Sequence, residues 1–222
     1  MLLDLTDECV AAAQGKLPDA QDGARRVSIQ VFRNRFIERW FAKAHWVTPL
    51  FWFGPVIALG FTRGISQGLG AGRMAQLFFL GLLVWTLTEY LLHRFLFHAE
   101  FPGKQGAIRH FLLHGYHHVF PNDPMRLVAP PIMSWGPAAL FATAYYFLFG
   151  ASQFATVLSG TVSGYLAYDW IHYYTHHGRP KWALGKWLRK YHMLHHFRSP
   201  HAFYGVSSPL WDILIGTWRA RS

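Results

Sequence analysis

The sequence contains one cysteine, Cys9, in 222 residues. A single cysteine cannot form an internal disulfide, and it excludes metal sites built from several cysteines. Charged residues are also scarce, at 14%, against 52% hydrophobic and 18% aromatic residues. This composition is too apolar for an ordinary soluble enzyme and indicates that lipid is part of the solvent around the chain.

Acidic residues are few, with 11 Asp and Glu against 21 Lys and Arg and a formal net charge of +10. Such an excess of positive charge can indicate nucleic-acid binding. Here, however, the basic residues flank apolar segments, and no recognisable nucleic-acid motif accompanies them. We therefore expect a membrane protein without a nucleic-acid partner.

Residues 1–24 lack a long apolar core, so they do not predict a cleavable signal peptide, which would start basic and turn apolar. Residues 1–24 mix acidic and small residues and predict a short helix or tail of unknown role. Residues 25–43 interleave arginines with aromatic residues, which is typical of an amphipathic helix at a membrane surface. A basic flank that orients the protein is the alternative, and both can hold. Residues 44–222 are then the membrane domain.

Four apolar segments predict an all-α integral membrane protein with four transmembrane helices. Each is close to the ~20 residues that cross a bilayer core. The link between the third and fourth is so short, at residues 150–152, that these two should form a tight hairpin. The predicted spans are residues 46–62, 74–98, 132–149 and 153–176.

The distribution of Lys and Arg predicts the orientation of these spans. Eighteen of the 21 lie in residues 1–43, 99–130 and 177–222, whereas the two short links contain only Arg63 and Arg73. The positive-inside rule therefore assigns both termini and the central loop to the cytoplasm. All histidine clusters then meet in one cytoplasmic helical cap.

Twelve of the fourteen histidines fall in a few short clusters. Imidazole is the commonest protein ligand of metals, and residues three or four apart share one face of a helix. The two His-x-x-His-His stretches should thus each present three nitrogens to one side. Ten imidazoles exceed the ligand number of one ion and predict two ions with about five each. The stretches at ligand spacing are 93–98, 114–118, 172–176 and 192–196.

The ligand type does not name the metal, since imidazole suits iron, zinc, copper and nickel alike. Two acidic residues lie one turn before histidines: Glu89 before His93, and Asp169 before His172. Each carboxylate could fix the tautomer of its histidine. An ion pair at the end of the helix is the alternative for both.

Six stretches of the sequence form a combined pattern: HRFLFH (93–98), HFLLHGYHH (110–118), RLVAPP (126–131), YDWIHYYTHH (168–177), YHMLHHF (191–197) and FYGVSSPLWD (203–212). Together they resemble the fatty acid hydroxylase superfamily of integral-membrane di-metal oxygenases, and fatty acid 2-hydroxylases in particular. The resemblance covers roughly residues 80–222. It implies as metal ligands His93, His98, His114, His117, His118, His172, His176, His192, His195 and His196.

The resemblance implies hydroxylation of carbon 2 of a long-chain fatty acid or of a sphingolipid acyl chain. The co-substrate would be O2, the active metal di-iron, and zinc an occupant in purified protein. Histidine clusters report the oxidant and not the substrate, so a sterol or carotenoid oxidase, a desaturase or an amino-lipid hydroxylase stays open. A non-catalytic membrane metal-binding protein is a further alternative.

The expected electron donor is a separate protein. Eukaryotic 2-hydroxylases of this kind often carry a cytochrome b5-type domain, whose His-Pro-Gly-Gly stretch is absent from this sequence. A ferredoxin, a cytochrome b5-like protein or a reductase would then dock on basic residues near 179–190; anionic membrane lipids are the alternative partner of that surface. The excess of Arg over Lys favours a bacterial inner membrane, with the endoplasmic reticulum as the eukaryotic equivalent.

Overall fold

The computed structural model describes residues 4–16 and 28–219. Over these residues the fold is all-α, as predicted, and the only β-pairing is an isolated bridge between Leu5 and Phe32. Two π-helical segments, Leu92–Phe97 and Phe111–Gly115, continue α4 and α5. The α-helices are α1 Asp7–Ala13, α2 Arg35–Phe41, α3 Thr48–Ser66, α4 Ala71–Leu91, α5 Gly103–His110, α6 Tyr116–Val119, α7 Pro131–His177, α8 Ala183–Phe197 and α9 Leu210–Ile215.

Helix α7 reverses direction at Gly150, where the sequence predicts a hairpin. Gly150 has φ 73° and ψ 172°, a backbone conformation that favours glycine. The Ser134 and Tyr165 hydroxyls lie 2.9 Å apart, although 31 residues of straight helix would separate them by about 46 Å. The two arms of α7 therefore run antiparallel, as the third and fourth predicted spans require.

The bundle of α3, α4 and α7 is held by close helix contacts at glycines. A Cβ at Gly160 would lie 2.0 Å from the Phe78 carbonyl oxygen, and one at Gly81 would lie 2.1 Å from that of Val157. Small residues let helix backbones approach closely where lipid supplies no hydrophobic force between helices. These glycines therefore set the distance between α4 and the second arm of α7.

The outer surface of the bundle is apolar. Phe51, Leu59 and Phe147 are 76%, 68% and 80% exposed. Within the described residues, two helical stretches are long and apolar enough to cross a membrane, Ala71–Phe97 and Pro131–His177. The second of these contains both arms of α7, and α3 is 19 residues long. The four-span topology itself stays a prediction.

The short links lie together at one end of the bundle. Arg63 donates to the Ala151 carbonyl at 3.1 Å, and Arg73 Nη2 donates to the Gln153 side chain at 2.6 Å. Helix α4 and the second arm of α7 both run away from this end. Their far ends carry His93 and His172, so the histidines gather at the opposite end from the links.

The N-terminal segment belongs to the histidine end. Residues 1–3 and 17–27, which include part of the predicted tail, lie outside the described residues. Helix α2 is shorter than the predicted amphipathic helix: Phe36 and Trp40 are exposed on it, whereas Val31 and Phe32 precede it in extended backbone and are buried. Their core also contains Leu5, Cys9, Ala12, Ile29, Ile108, Phe111, Tyr116 and Phe120.

We predict that Gly160→Ala destabilises the bundle. The added methyl group would clash with the Phe78 carbonyl and force α4 and α7 apart, at a cost of about 1–3 kcal/mol. Thermal unfolding of detergent-purified protein measures the effect. Gly136→Ala is the matched control on the same helix, because a Cβ there meets no atom within 4 Å. Equal melting temperatures for the two variants would contradict the packing argument.

Candidate metal centre

The ten histidines named from the sequence converge as two sets of five. In each set the candidate ligand nitrogens all lie within 4.8 Å of one another. Rings of the two sets also touch, since His118 stacks on His196 with centroids 4.2 Å apart. The first set is His93, His98, His114, His118 and His195; the second is His117, His172, His176, His192 and His196.

Each His-x-x-His-His stretch divides between the two sets, so the expectation that it presents three nitrogens to one side is wrong. His114 and His118 belong to the first set, and His117 belongs to the second. In α8, His192 and His196 belong to the second set and His195 to the first. Adjacent residues of an α-helix point about 100° apart, so each stretch can serve two neighbouring sites.

The π-helical segment Leu92–Phe97 brings His93 and His98 together. In an α-helix, residues five apart point about 140° away from each other. Here the backbone N–H of His98 donates to the His93 carbonyl at 3.2 Å, the i→i+5 pattern of a π turn. The Nε2 atoms of the two rings consequently approach to 3.3 Å.

The distances between nitrogens suit one ion per set. In the first set, Nε2 of His93 lies 3.1 Å from that of His114; in the second, Nε2 of His176 lies 2.8 Å from that of His192. Two nitrogens at adjacent corners of an octahedron with metal–nitrogen bonds of about 2.1 Å are about 3.0 Å apart. The donor set is all imidazole, which suits iron, zinc, copper or nickel.

Backbone carbonyls fix the tautomers of two rings in the first set. Nδ1 of His93 contacts the Tyr204 carbonyl, and Nδ1 of His195 contacts the Ala202 carbonyl at 2.8 Å. A carbonyl only accepts, so the hydrogen is on Nδ1 and each Nε2 presents a lone pair. Both lone pairs face Nε2 of His98, at 3.3 Å and 3.0 Å. The single hydrogen that His98 can carry there cannot satisfy both, whereas a cation can.

Burial keeps these rings neutral and able to ligate. It lowers the pKa of His118 to about 3, with the neighbouring imidazoles of His195 and His110 adding to the effect. It lowers the pKa of His195 to about 4, although the hydrogen bond that His195 Nδ1 donates to the Ala202 carbonyl opposes this shift. Neutral imidazole is the metal-binding form, so both rings are in the ligating state at neutral pH.

The two carboxylates do not hold the histidines as the sequence suggested. Glu89 accepts from the backbone N–H of Val206 and Ser207, at 2.7 and 2.8 Å, and from the Ser207 hydroxyl. Asp169 Oδ2 and His172 Nδ1 are both buried without a hydrogen-bond partner among the described residues. The described residues show no ion pair between Glu89 and Arg94, and the Arg94 guanidinium donates to the Tyr90 hydroxyl at 2.7 Å.

The C-terminal loop carries the positioning role instead. Asp212 accepts from the N–H of Tyr204 and Gly205, at 2.9 and 2.7 Å, and Glu89 anchors the next two residues. This loop holds the Ala202 and Tyr204 carbonyls against His195 and His93. In the sequence, the signal for this loop is the motif at residues 203–212. The spacing of residues along the chain does not by itself reveal that the motif positions the histidines.

The remaining four histidines, His45, His110, His177 and His201, lie outside the two sets. The ring centroid of His110 lies 6.3 Å from that of His98. His201 is exposed in the turn after α8.

A cavity of about 640 Å³ adjoins the histidines. It lies between α4, α7 and the loop 126–130, and its lining is mostly apolar. His114 of the first set and His117 and His172 of the second form part of its wall. The volume lies within the range of ~300–1,000 Å³ of small-molecule sites. An apolar ligand bound in this cavity would lie beside histidines of both sets.

Comparison with known proteins agrees with this architecture. The chain is 41% identical over 175 residues to a dihydroceramide fatty acyl 2-hydroxylase of Arabidopsis thaliana, covering 78% of this chain and 72% of the relative. It is 38% identical to the ceramide very long chain fatty acid hydroxylase of Saccharomyces cerevisiae, covering 86% of this chain and 50% of that one. The solved hydroxylase domain of full-length Scs7p matches 99% of this chain and 92% of its own, with TM-score 0.81 and 28% identity. The sequence model of the fatty acid hydroxylase family matches residues 78–217, and the chain belongs to that family.

Proposed function

We propose that this protein hydroxylates carbon 2 of a long-chain acyl group, as a free fatty acid or in a sphingolipid. The observation that carries the proposal is the apolar cavity bounded by His114, His117 and His172, since it brings an acyl chain to both histidine sets. The relatives named as fatty acyl 2-hydroxylases support the position of the new hydroxyl group.

The ten histidines are the proposed ligands of two metal ions, one for each set of five. Each set of five imidazoles would hold one ion. When bound, two iron ions would supply the activation of O2 that oxidation of an unactivated C–H bond needs. The chain's own part is to hold ten neutral imidazoles in place and to keep the acyl chain in an apolar, water-poor cavity.

Hydroxylation of a C–H bond by O2 consumes two electrons and two protons and releases one water. The proposed source of the electrons is a separate carrier, a ferredoxin, a cytochrome b5-like protein or a reductase. A basic surface on α8 and the loop before it suits an acidic carrier. That surface includes Arg179, Lys186, Arg189 and Lys190.

The proposed topology has four spans, with the histidine end on the cytoplasmic side. Support comes from the unequal distribution of Lys and Arg and from the gathering of both short links at one end of the bundle. The substrate then reaches the cavity from the bilayer that surrounds α3, α4 and α7.

Metal analysis tests the metal centre. Purified, folded protein should contain close to two ions per chain, iron in active preparations and zinc in inactive ones. Removal by a chelator should abolish 2-hydroxylated product and lower the melting temperature, because ligand sets stabilise the fold when loaded. One ion per chain or none in fully active protein would contradict the proposal.

His195→Ala tests the ligand assignment. The loss of one imidazole from the first set should reduce product by about 100-fold or more, since even outer-shell partners of ligands cost about 10–100-fold. The measurements are 2-hydroxylated lipid and bound metal at equal protein level. His201→Ala is the matched control, because His201 is exposed and outside both sets. Equal losses in the two variants, or normal product and metal in His195→Ala, would refute the assignment.

Cysteine labelling tests the topology. In a background with Cys9→Ala, a cysteine at Ser66 and one at Gln105 should react with an impermeant reagent from opposite sides of the membrane. Both positions are exposed, and native Cys9 is fully buried. Labelling of both from the same side would reject the four-span topology.

A further inference from the structure

Arg126 is the only arginine or lysine among the described residues that line the cavity beside the histidines. Its side chain is 5% exposed, although arginine is rarely buried without a partner. The metal centre proposed above gives it no role. A buried guanidinium in a mostly apolar cavity therefore calls for a physical reason.

The guanidinium is held from three directions. Nη2 pairs with the buried carboxylate of Glu38, and Nε lies 3.3 Å from Oδ2 of Asp123. The Tyr116 ring lies beneath its central carbon, 4.7 Å from the ring centroid, and the Tyr116 hydroxyl donates to Asp123 at 2.9 Å. These contacts fix the plane of the guanidinium, as a rigid fork of donors requires.

The N-terminal segment supplies the main anchor. Glu38 of α2 also accepts from the backbone N–H of Val31 and Phe32, at 3.1 and 3.0 Å. Val31, Phe32 and Phe41 themselves line the cavity. The segment before the family-matched residues 78–217 is thus a wall of the cavity as well as the support of Arg126.

Two nitrogens of the guanidinium, Nε and Nη1, are buried without a hydrogen-bond partner among the described residues. Nε still lies 3.3 Å from Oδ2 of Asp123, so Nη1 is the terminal nitrogen that is left without an acceptor. An unsatisfied buried donor costs about 1–3 kcal/mol, and more when charged, unless a ligand supplies the acceptor. Because Glu38 and Asp123 already balance the charge, Nη1 acts as a hydrogen-bond donor and not as a counter-ion, so an uncharged carbonyl oxygen suffices.

We propose that Nη1 of Arg126 donates to the oxygen on carbon 1 of the substrate and so positions carbon 2 at the histidine sets. This inference rests on the proposed function. Carbon 1 carries the first oxygen of every acyl substrate and is bonded to the carbon that reacts. A fixed donor to that oxygen therefore selects carbon 2 over the similar methylenes that follow. The shared chemistry is a carbonyl or carboxylate oxygen, in an amide or in a free acid.

The test compares the whole wild-type protein with Arg126→Lys. A lysine ammonium keeps a positive charge for Glu38 and Asp123 but lacks the second arm of the fork. Three ligands are used: an N-acyl lipid, the matching free acid, and an analogue of the lipid with a methylene in place of the carbonyl at carbon 1. The readouts are the ligand-induced rise in melting temperature, KM, and the position of the hydroxyl group by mass spectrometry.

For the wild type we expect the N-acyl lipid to raise the melting temperature more than the methylene analogue, with the hydroxyl group confined to carbon 2. In Arg126→Lys the two ligands should raise the melting temperature equally. KM should rise about tenfold, as the loss of a charged hydrogen bond predicts. Hydroxylation should also spread to carbon 3. The free acid shows which oxygen source is used: a larger stabilisation than that by the N-acyl lipid identifies the carboxylate.

Lys43→Met is the matched control. Lys43 also pairs with Glu38, at 3.5 Å, but is not among the residues that line the cavity. The Lys43→Met variant should keep the wild-type KM, the carbon 2 product and the greater stabilisation by the N-acyl lipid. Normal KM and strict carbon 2 product in Arg126→Lys would overturn the proposal.

If Arg126→Lys does not fold, the wild type decides alone. Equal stabilisation by the N-acyl lipid and its methylene analogue would overturn the role of the carbon 1 oxygen, and selective stabilisation by the lipid would support it. Failure of the proposed function is a separate result: the wild type would then give no 2-hydroxylated product from any ligand, while the binding comparison still judges Arg126.

Discussion

The structure depends on the convergence of lone pairs from ten neutral imidazoles. In each set of five the candidate nitrogens lie within 4.8 Å of one another. Lone pairs of neutral imidazoles repel one another at such distances unless a cation lies between them. The ten histidines come from the two π-helical segments, from the residue that follows the first of them, and from α6, α7 and α8. Each of these elements must therefore be fixed in position relative to the others, and the rest of the fold provides the contacts that fix them.

Two parts of the fold meet it by different physical means. In the helical bundle, close approach at Gly81 and Gly160 fixes α4 against α7, so His93 and His172 come from a rigid frame. In the histidine end, buried carboxylates hold irregular backbone: Glu89 and Asp212 fix the C-terminal loop, which orients His93 and His195 through carbonyls. Packing suits helices in lipid, whereas loops need hydrogen bonds for their free N–H groups.

The sequence by itself determined the all-α fold class, the long apolar helices, the tight link at residues 150–152 and the ten histidines that gather. Apolar length follows from the thickness of a bilayer, and ligand spacing follows from helix geometry, so both are readable along the chain. The family motifs then identified the ten histidines without the structure. Within the amphipathic segment the structure has a helix at Arg35–Phe41, whereas Val31 and Phe32, which have the composition of a membrane-facing stretch, pack against residues of α5 and α6.

Only the tertiary structure decided how the histidines are shared. The division of each His-x-x-His-His stretch between two sets depends on which neighbouring helix faces each ring, and the pairing of His93 with His98 depends on a π turn. The partners of Glu89 and Arg126 lie 117 and 88 residues away, at Val206 and Glu38. Spacing along the chain encodes contacts within one helix, and contacts between distant segments arise only when the whole chain packs.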